Sequence, residues 1–244
     1  MSPSPPIFAP APAELSLEPG GVDVWNVPTN RSERSVEELW GLLDPEERRR
    51  AASFRFEVHR GRFVRRRARL REILASYVGE APERLQFSAS EYGKPVLANH
   101  PEFAFSASHS ADVALVAVGE AGELGVDLER DLPLEDYGRL VQNFFSAAEQ
   151  REYERLPLEV RRQGFYLTWT RKEAWLKAQG DGLFGDLTRF DVPVDPREPT
   201  RLLRVGDDPL EAGRWQLRSF VPERGYVAAV ALRRTHLALR FWRG

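Results

Sequence analysis

Asp127 and Glu129 stand one residue apart in a strand-like segment, Gly125-Val-Asp-Leu-Glu129, so a period-two pleat aims both carboxylates from one face. A converging pair of hard oxygen donors suits a divalent cation, Mg2+ above all where phosphates complete the shell. An edge strand carrying two solvated acids has the same sequence pattern. Further along, Trp169-Thr-Arg-Lys-Glu-Ala-Trp-Leu-Lys177 has helical character and puts Glu173 and Lys177 on one face at i and i+4. That spacing presents a third carboxylate beside a cation suited to phosphate. It is equally the spacing of a helix-stabilising ion pair, and Thr170 with Glu173 has the form of a capping box.

Phe105-Ser-Ala-Ser-His-Ser110 ends a strand on hydroxyls and one imidazole, and a turn there can offer backbone N–H groups, hydroxyls and His109 to a phosphate. A lone histidine in such a place is also simply an exposed or structural one. A serine hydrolase is disfavoured: no G-x-S-x-G elbow occurs, and the adjacent Ser108 and His109 cannot generally form the required hydrogen bond. The chain has only three lysines, Lys94, Lys172 and Lys177, against 32 arginines. All three fall within Glu91-Tyr-Gly-Lys-Pro95 and the Trp169 segment. A lysine is a compact point charge where arginine is a wide fork, so a crowded phosphate site can require the former.

These residues need elements to position them, and the composition permits a folded core. Hydrophobic residues are 42% and aromatics 11% of 244 residues, which excludes wholesale disorder. There is no cysteine, hence no disulfide and no thiolate chemistry, and the four histidines show no metal-ligand spacing. Residues 1–20 are rich in proline and alanine without the pattern of a secretory signal, and read as a flexible leader. No apolar run is long enough to span a membrane, so the expected location is cytoplasmic. The arginine-rich run from Arg60 to Arg71 could track nucleic acid. A net charge of −2 and the lack of any nucleic-acid motif favour a solvated helix face with one or two ligand contacts.

Val22 to Val27 alternates as a strand, and Ser35 with Glu38 and Asp44 with Glu47 open helices as capping boxes. A basic helical region follows to about Val78, then strand-like runs at 85–88, 103–108 and 113–118. Helices return from about 134 to 179 and stop at Gly180, and strands at 215–220, 226–232 and 237–242 close the chain. Val113-Ala-Leu-Val-Ala117 is echoed by Val227-Ala-Ala-Val-Ala231. The expectation is an α+β fold, a pseudodimer of two similar lobes, each with helices packed on a small antiparallel sheet. Residues 21–112 form the N-terminal lobe and 113–244 the C-terminal lobe on this reading.

Glu91-Tyr-Gly-Lys-Pro95, Phe105-Ser-Ala-Ser-His-Ser110, Gly125-Val-Asp-Leu-Glu129 and Trp169-Thr-Arg-Lys-Glu-Ala174 with Lys177, in that order, resemble the signatures of Sfp-type phosphopantetheinyl transferases. Weaker similarity covers Asp44 to Arg71, Asn143-Phe-Phe-Ser146 with Glu149, and Gly180-Asp-Gly-Leu183. The resemblance implies transfer of the 4'-phosphopantetheine group of coenzyme A to a serine of an apo carrier protein, releasing 3',5'-ADP. It implies a cleft between the lobes for coenzyme A and a monomer without nucleic-acid or membrane partners. Asp127, Glu129 and Glu173 would hold Mg2+, with Mn2+ as a substitute. Lys177 would contact phosphate and stabilise the leaving group, and Glu173 would take the proton of the attacking serine. Ser108, His109 and Lys94, with Arg50 and Arg62, would surround the nucleotide phosphates. Two departures stand out: Ser106 where relatives often have Asn, and Glu47 where some have a basic residue. Ser146 and Glu149 are explained as a capping box. Rival readings of the same acids are a metal-dependent phosphodiesterase or nuclease, and a coenzyme A-binding or carrier-binding module without catalysis.

Overall fold

The computed structural model describes residues 5–91, 93–180, 186–234 and 236–244. The fold is α+β, with several small sheets and six helices among the described residues. Strand β1 (Gly21–Pro28) is followed by helices α1 (Val36–Trp40), α2 (Pro45–Ala52) and α3 (Glu57–Val78). A hairpin, β2 (Phe87–Ala89) and β3 (Pro95–Leu97), leads to β4 (Phe103–Ser110) and β5 (Val113–Glu120). The same succession then recurs. Strand β6 (Leu124–Arg130) precedes α4 (Tyr137–Phe144), α5 (Ala147–Arg155) and α6 (Leu158–Gln179), then the pair β7 (Phe190–Asp191) and β8 (Arg204–Val205), then β9 (Gln216–Phe220) and β10 (Tyr226–Leu232). Strand β11 (Ala238–Arg243) comes last.

The strand order β1-β5-β4 in one sheet is matched by β6-β10-β9 in another, all antiparallel, and β11 adds to the outside of β1 in parallel. The two sheets share one core. Val22, Val24, Leu115 and Ala117 from the first meet Val126, Leu128, Ala228 and Val230 from the second. Helix α3 covers the outer face of the first sheet through Leu70, Ile73 and Leu74. Helix α6 covers the second through Ala174, Trp175 and Ala178. Each of these two helices is 22 residues long and stops at a left-handed glycine, Gly79 (φ 73°) or Gly180 (φ 91°), whose N–H caps the last turn. The capping boxes expected at Ser35 with Glu38, Asp44 with Glu47 and Ser146 with Glu149 all form, opening α1, α2 and α5.

Three features of the packing stand beside these expectations. Within residues 5–20, Phe8 enters the shared core, Ala9 bridges to Trp242, and Ala11, Leu15 and Leu17 pack under the first sheet. Among the described residues β5 pairs with β1 and β4, across the boundary expected between 112 and 113, and β11 returns to β1. Finally, the arginine run is largely engaged with protein acids. Arg71 is fully buried, bonded to Asp44, Glu47 and two carbonyls, and Arg67 also reaches Glu47. Arg62 pairs with Asp112 and Arg69 with Glu72. The run lies on a helix whose neighbours carry the matching acids, information that composition does not hold. The Gly180–Leu183 similarity extends beyond the described residues.

Candidate active site

On β6 the residues alternate cleanly: Leu124, Val126 and Leu128 face the shared core, while Gly125, Asp127 and Glu129 take the other face. That second face lies under α6. A methyl group on Gly125 would stand 2.0 Å from the Ala174 carbonyl oxygen and 2.4 Å from the Ala178 nitrogen, so the helix backbone rests directly on the glycine. The small Ala174 and Ala178 allow that approach, and Glu173 and Lys177 flank them on the helix. Gly125→Ala must therefore lift α6 off β6. We expect a loss of about 1–3 kcal/mol, read as a lower midpoint in urea unfolding; an unchanged midpoint would show that the helix does not rest there.

Lys177 settles which of its two spacings matters. Its ammonium donates to Asp127 Oδ1 at 2.6 Å and to Ser108 Oγ at 3.0 Å. Glu173, one turn earlier, has no hydrogen bond or ion pair among the described residues, so the helix-stabilising Glu–Lys pair is not made. Thr170 lies in mid-helix and donates to the carbonyls of Tyr166 and Leu167, so it is no capping residue either. Asp127 is 3% exposed, which removes the solvated-acid reading for it. Its second oxygen, Oδ2, is buried with no partner among the described residues.

The carboxylates feel one another. Burial first, then the negative charge of Asp127, pushes Glu129 up to about 7, with Glu173 adding to the effect. Burial and Asp127 also raise Glu173, against the pull of Lys177. Among the described residues, no three acidic or histidine side chains stand close enough together to enclose an ion as they are. The donor set nonetheless fits a hard divalent cation: an orphaned buried carboxylate oxygen and two neighbouring acids reluctant to ionise lack positive charge. A raised acid adds stability below its unfolded value of 4.5, and that contribution is lost as pH rises through about 7. Metal-free protein should thus melt roughly 3 °C or more lower at pH 8 than at pH 5.5 on account of this group. Glu129→Gln should remove that slope, and equal slopes in the two proteins would refute the assignment.

His109 alternates with Ser108 on β4. It is open to solvent but recessed among cations: loss of hydration and the charges of Arg66, Lys177 and Arg50 push it down to about 4. Arg66 is the residue sequence reasoning passed over. Its guanidinium and that of Arg50 both lie over the Phe63 ring, at 5.5 and 5.6 Å from its centroid, and neither has an acidic partner among the described residues. Burial, with Arg67 and Arg50 nearby, lowers Arg66 to about 10. The signal available was Arg66's place one helical turn beyond Arg62. Arg62 itself is taken by Asp112, and Glu47 lies inside, holding Arg67 and Arg71.

Lys94 bonds the carbonyls of Leu124 and Ala178, tying the start of β6 to the end of α6, and burial lowers it to about 8. Lys172, the third lysine, is away from the cluster: it is 1% exposed and paired with Glu149. The structure therefore brings together Asp127, Glu129, Glu173, Lys177 and Ser108, with His109, Arg50 and Arg66 beside them. Lys94 and Arg62 are engaged with protein groups at the margins.

Two arginines without acidic partners among the described residues, Arg50 and Arg66, thus stand beside Lys177 and the three acids Asp127, Glu129 and Glu173, a charge pattern that phosphate and a divalent cation together would complement. The class of protein is found by comparison: residues 123–231 match the family described as the 4'-phosphopantetheinyl transferase superfamily. The chain is 35% identical to the 4'-phosphopantetheinyl transferase HetI of Nostoc sp. (strain PCC 7120) over 96% of its own length and 97% of that protein. It is 31% identical to psf-1 of Bacillus pumilus over 64% of this chain and 66% of the relative, and 26% identical to Sfp of Bacillus subtilis over 66% and 70%. The chain belongs to this superfamily of transferases and is of the Sfp type. Among the described residues no helix is long and apolar enough to cross a membrane.

Proposed function

We propose that the enzyme transfers 4'-phosphopantetheine from coenzyme A to a serine hydroxyl of an apo carrier protein, assisted by a divalent cation, Mg2+ or Mn2+. The observation that carries this reading is the contact of Lys177 with Asp127 and Ser108, beside the Glu173 carboxylate, which has no partner among the described residues. The serine oxygen attacks the β-phosphorus, the bond from that phosphorus to the bridging oxygen breaks, and 3',5'-ADP departs. Glu173, directly or through water, takes the serine proton, since its carboxylate is uncommitted and its affinity for a proton is raised. Lys177 stabilises the charge that develops on the leaving oxygen. Asp127, Glu129 and Glu173 would hold the cation, whose chemistry is to neutralise and orient the pyrophosphate.

His109, Arg50 and Arg66, with Ser108 nearby, suit the remaining nucleotide phosphate. Lys94 and Arg62, which the family resemblance places around these phosphates, are engaged with the Leu124 and Ala178 carbonyls and with Asp112. Arg66→Gln should raise the KM for coenzyme A about 10-fold, the loss of one charge-assisted hydrogen bond, with kcat little changed. A larger effect from Arg62→Gln than from Arg66→Gln would reverse these roles.

The repeated succession of elements supports two lobes related by a pseudo-twofold axis, divided near residue 120, with β11 donated back to the first. A duplicated chain of this kind has no need of a second copy to complete its cleft, and we take it to act as a monomer in the cytoplasm. Incubation with coenzyme A, Mg2+ and an apo carrier protein tests the function directly by mass spectrometry. The carrier gains the mass of phosphopantetheine. Hydrolysis of coenzyme A without an acceptor would mark a phosphodiesterase instead, and binding without turnover a non-catalytic module.

A further inference from the structure

Strands β4 and β6 face each other at the border of their two sheets, yet no backbone ladder joins them among the described residues. Side chains replace it. The hydroxyl oxygens of Ser106, Ser108 and Ser110 accept from the N–H groups of Val126, Leu128 and Arg130 at 3.1, 3.3 and 3.0 Å. Both strands advance by two residues per rung, so three hydroxyls keep step with three N–H groups. Once the oxygen has accepted an N–H, the single hydroxyl proton remains to be placed. Ser108 donates it to Asp127 Oδ1 at 2.9 Å, and Ser110 donates it to Glu129 Oε2 at 3.1 Å.

The two carboxylates are not held equally. Asp127 is short, buried and also gripped by Lys177. Glu129 is longer and half-buried, and Ser110 is its one hydrogen-bond partner among the described residues. Fixing a glutamate side chain costs rotamer freedom, which a competent ligand set must meet beforehand. We infer that Ser110 is a positioning residue: its hydroxyl holds the Glu129 carboxylate in place for the divalent cation, while Ser106 closes the seam without touching an acid. This rests on the reading of Asp127, Glu129 and Glu173 as the cation's ligands.

The experiment compares Ser110→Ala, Ser110→Thr and Ser106→Ala with the parent enzyme. Mg2+ is titrated alone against the melting temperature, and separately against the transfer rate at saturating coenzyme A. Ser110→Ala should raise the half-saturating Mg2+ concentration about 10-fold in both titrations, while the rate at saturating Mg2+ stays within about threefold. Ser110→Thr, which keeps the hydroxyl, should return both to near the parent values. Ser106→Ala should lower the melting temperature as Ser110→Ala does and leave the Mg2+ midpoints alone. If Ser110→Ala does not fold, Ser110→Cys, with similar volume and a poor donor, should show the same shift. Equal midpoints in parent and Ser110 variants, or equal shifts from Ser106→Ala, would overturn the role of Ser110. A parent enzyme that neither melts higher in Mg2+ nor needs it for transfer would remove the ligand reading itself and the inference with it.

Discussion

Asp127→Asn should fold, melt no lower than the parent protein, and transfer phosphopantetheine at least ~10³-fold more slowly. Activity and stability separate because of where the charge lies. The substitution keeps the shape and the buried position but removes the negative charge that faces Lys177. It also removes the charge that adds to burial in making Glu129 and Glu173 hard to ionise. Three acids crowded at one place are a strained arrangement for the protein alone, so neutralising one relieves repulsion and can raise the melting temperature. Lys177 keeps 30% of its side-chain surface and can turn to water, so no charge is left stranded. Transfer is followed by carrier mass in single-turnover time courses, and stability by calorimetry. A variant that lost activity and several degrees together would point to a structural ion pair instead.

Glu149→Ala has the opposite profile: a large loss of stability with the site's own groups untouched. Glu149 and Lys172 are each 1% exposed, and both carboxylate oxygens contact the ammonium at 2.6–2.7 Å. The ammonium also donates to the Phe190 carbonyl and lies 4.3 Å from the centre of the Phe190 ring. The carboxylate in turn accepts from the N–H groups of Ser146 and Val192. Removing the acid strands a buried cation, a loss of about 3–5 kcal/mol. For a chain of this length that is a fall of roughly 6–20 °C in melting temperature. Glu149→Leu combined with Lys172→Met should recover more than half of the loss, because the double change leaves no charge behind. A double variant as unstable as the single one would mean that the orphaned N–H groups, and not the stranded ammonium, dominate.

Glu47 and Arg71 hold the corresponding places in the first half: the acid at the third position of a capped short helix, the cation fifteenth in the 22-residue helix. Glu47 therefore looks like a loss of positive charge in the sequence and is a structural acid in the fold. Capping boxes, strand alternation and the shared face of Asp127 and Glu129 were legible, since each depends on neighbours within a few residues. The partners of Lys177, Arg62 and Ser110 lie 50, 50 and 19 positions away and became visible only with the packing. The lysine count singled out Lys177, which meets Asp127 and Ser108, and equally Lys172, which is buried with an acid away from them. The Arg60–Arg71 run concealed Arg66 because helical spacing leaves the choice among arginines to the strand they approach.

The parallel pairing of β11 with β1 links residues 238–243 to residues 21–26. During synthesis the first strand must leave the ribosome long before its outer neighbour exists. Until then its edge, and the phenylalanine pocket that Phe8 and Phe220 complete with Phe241, stay uncovered. Completion of the first sheet is thus a late event of high contact order. A nascent chain stalled after β10 would expose a sticky strand edge to chaperones, even though every residue of the proposed site had already been made.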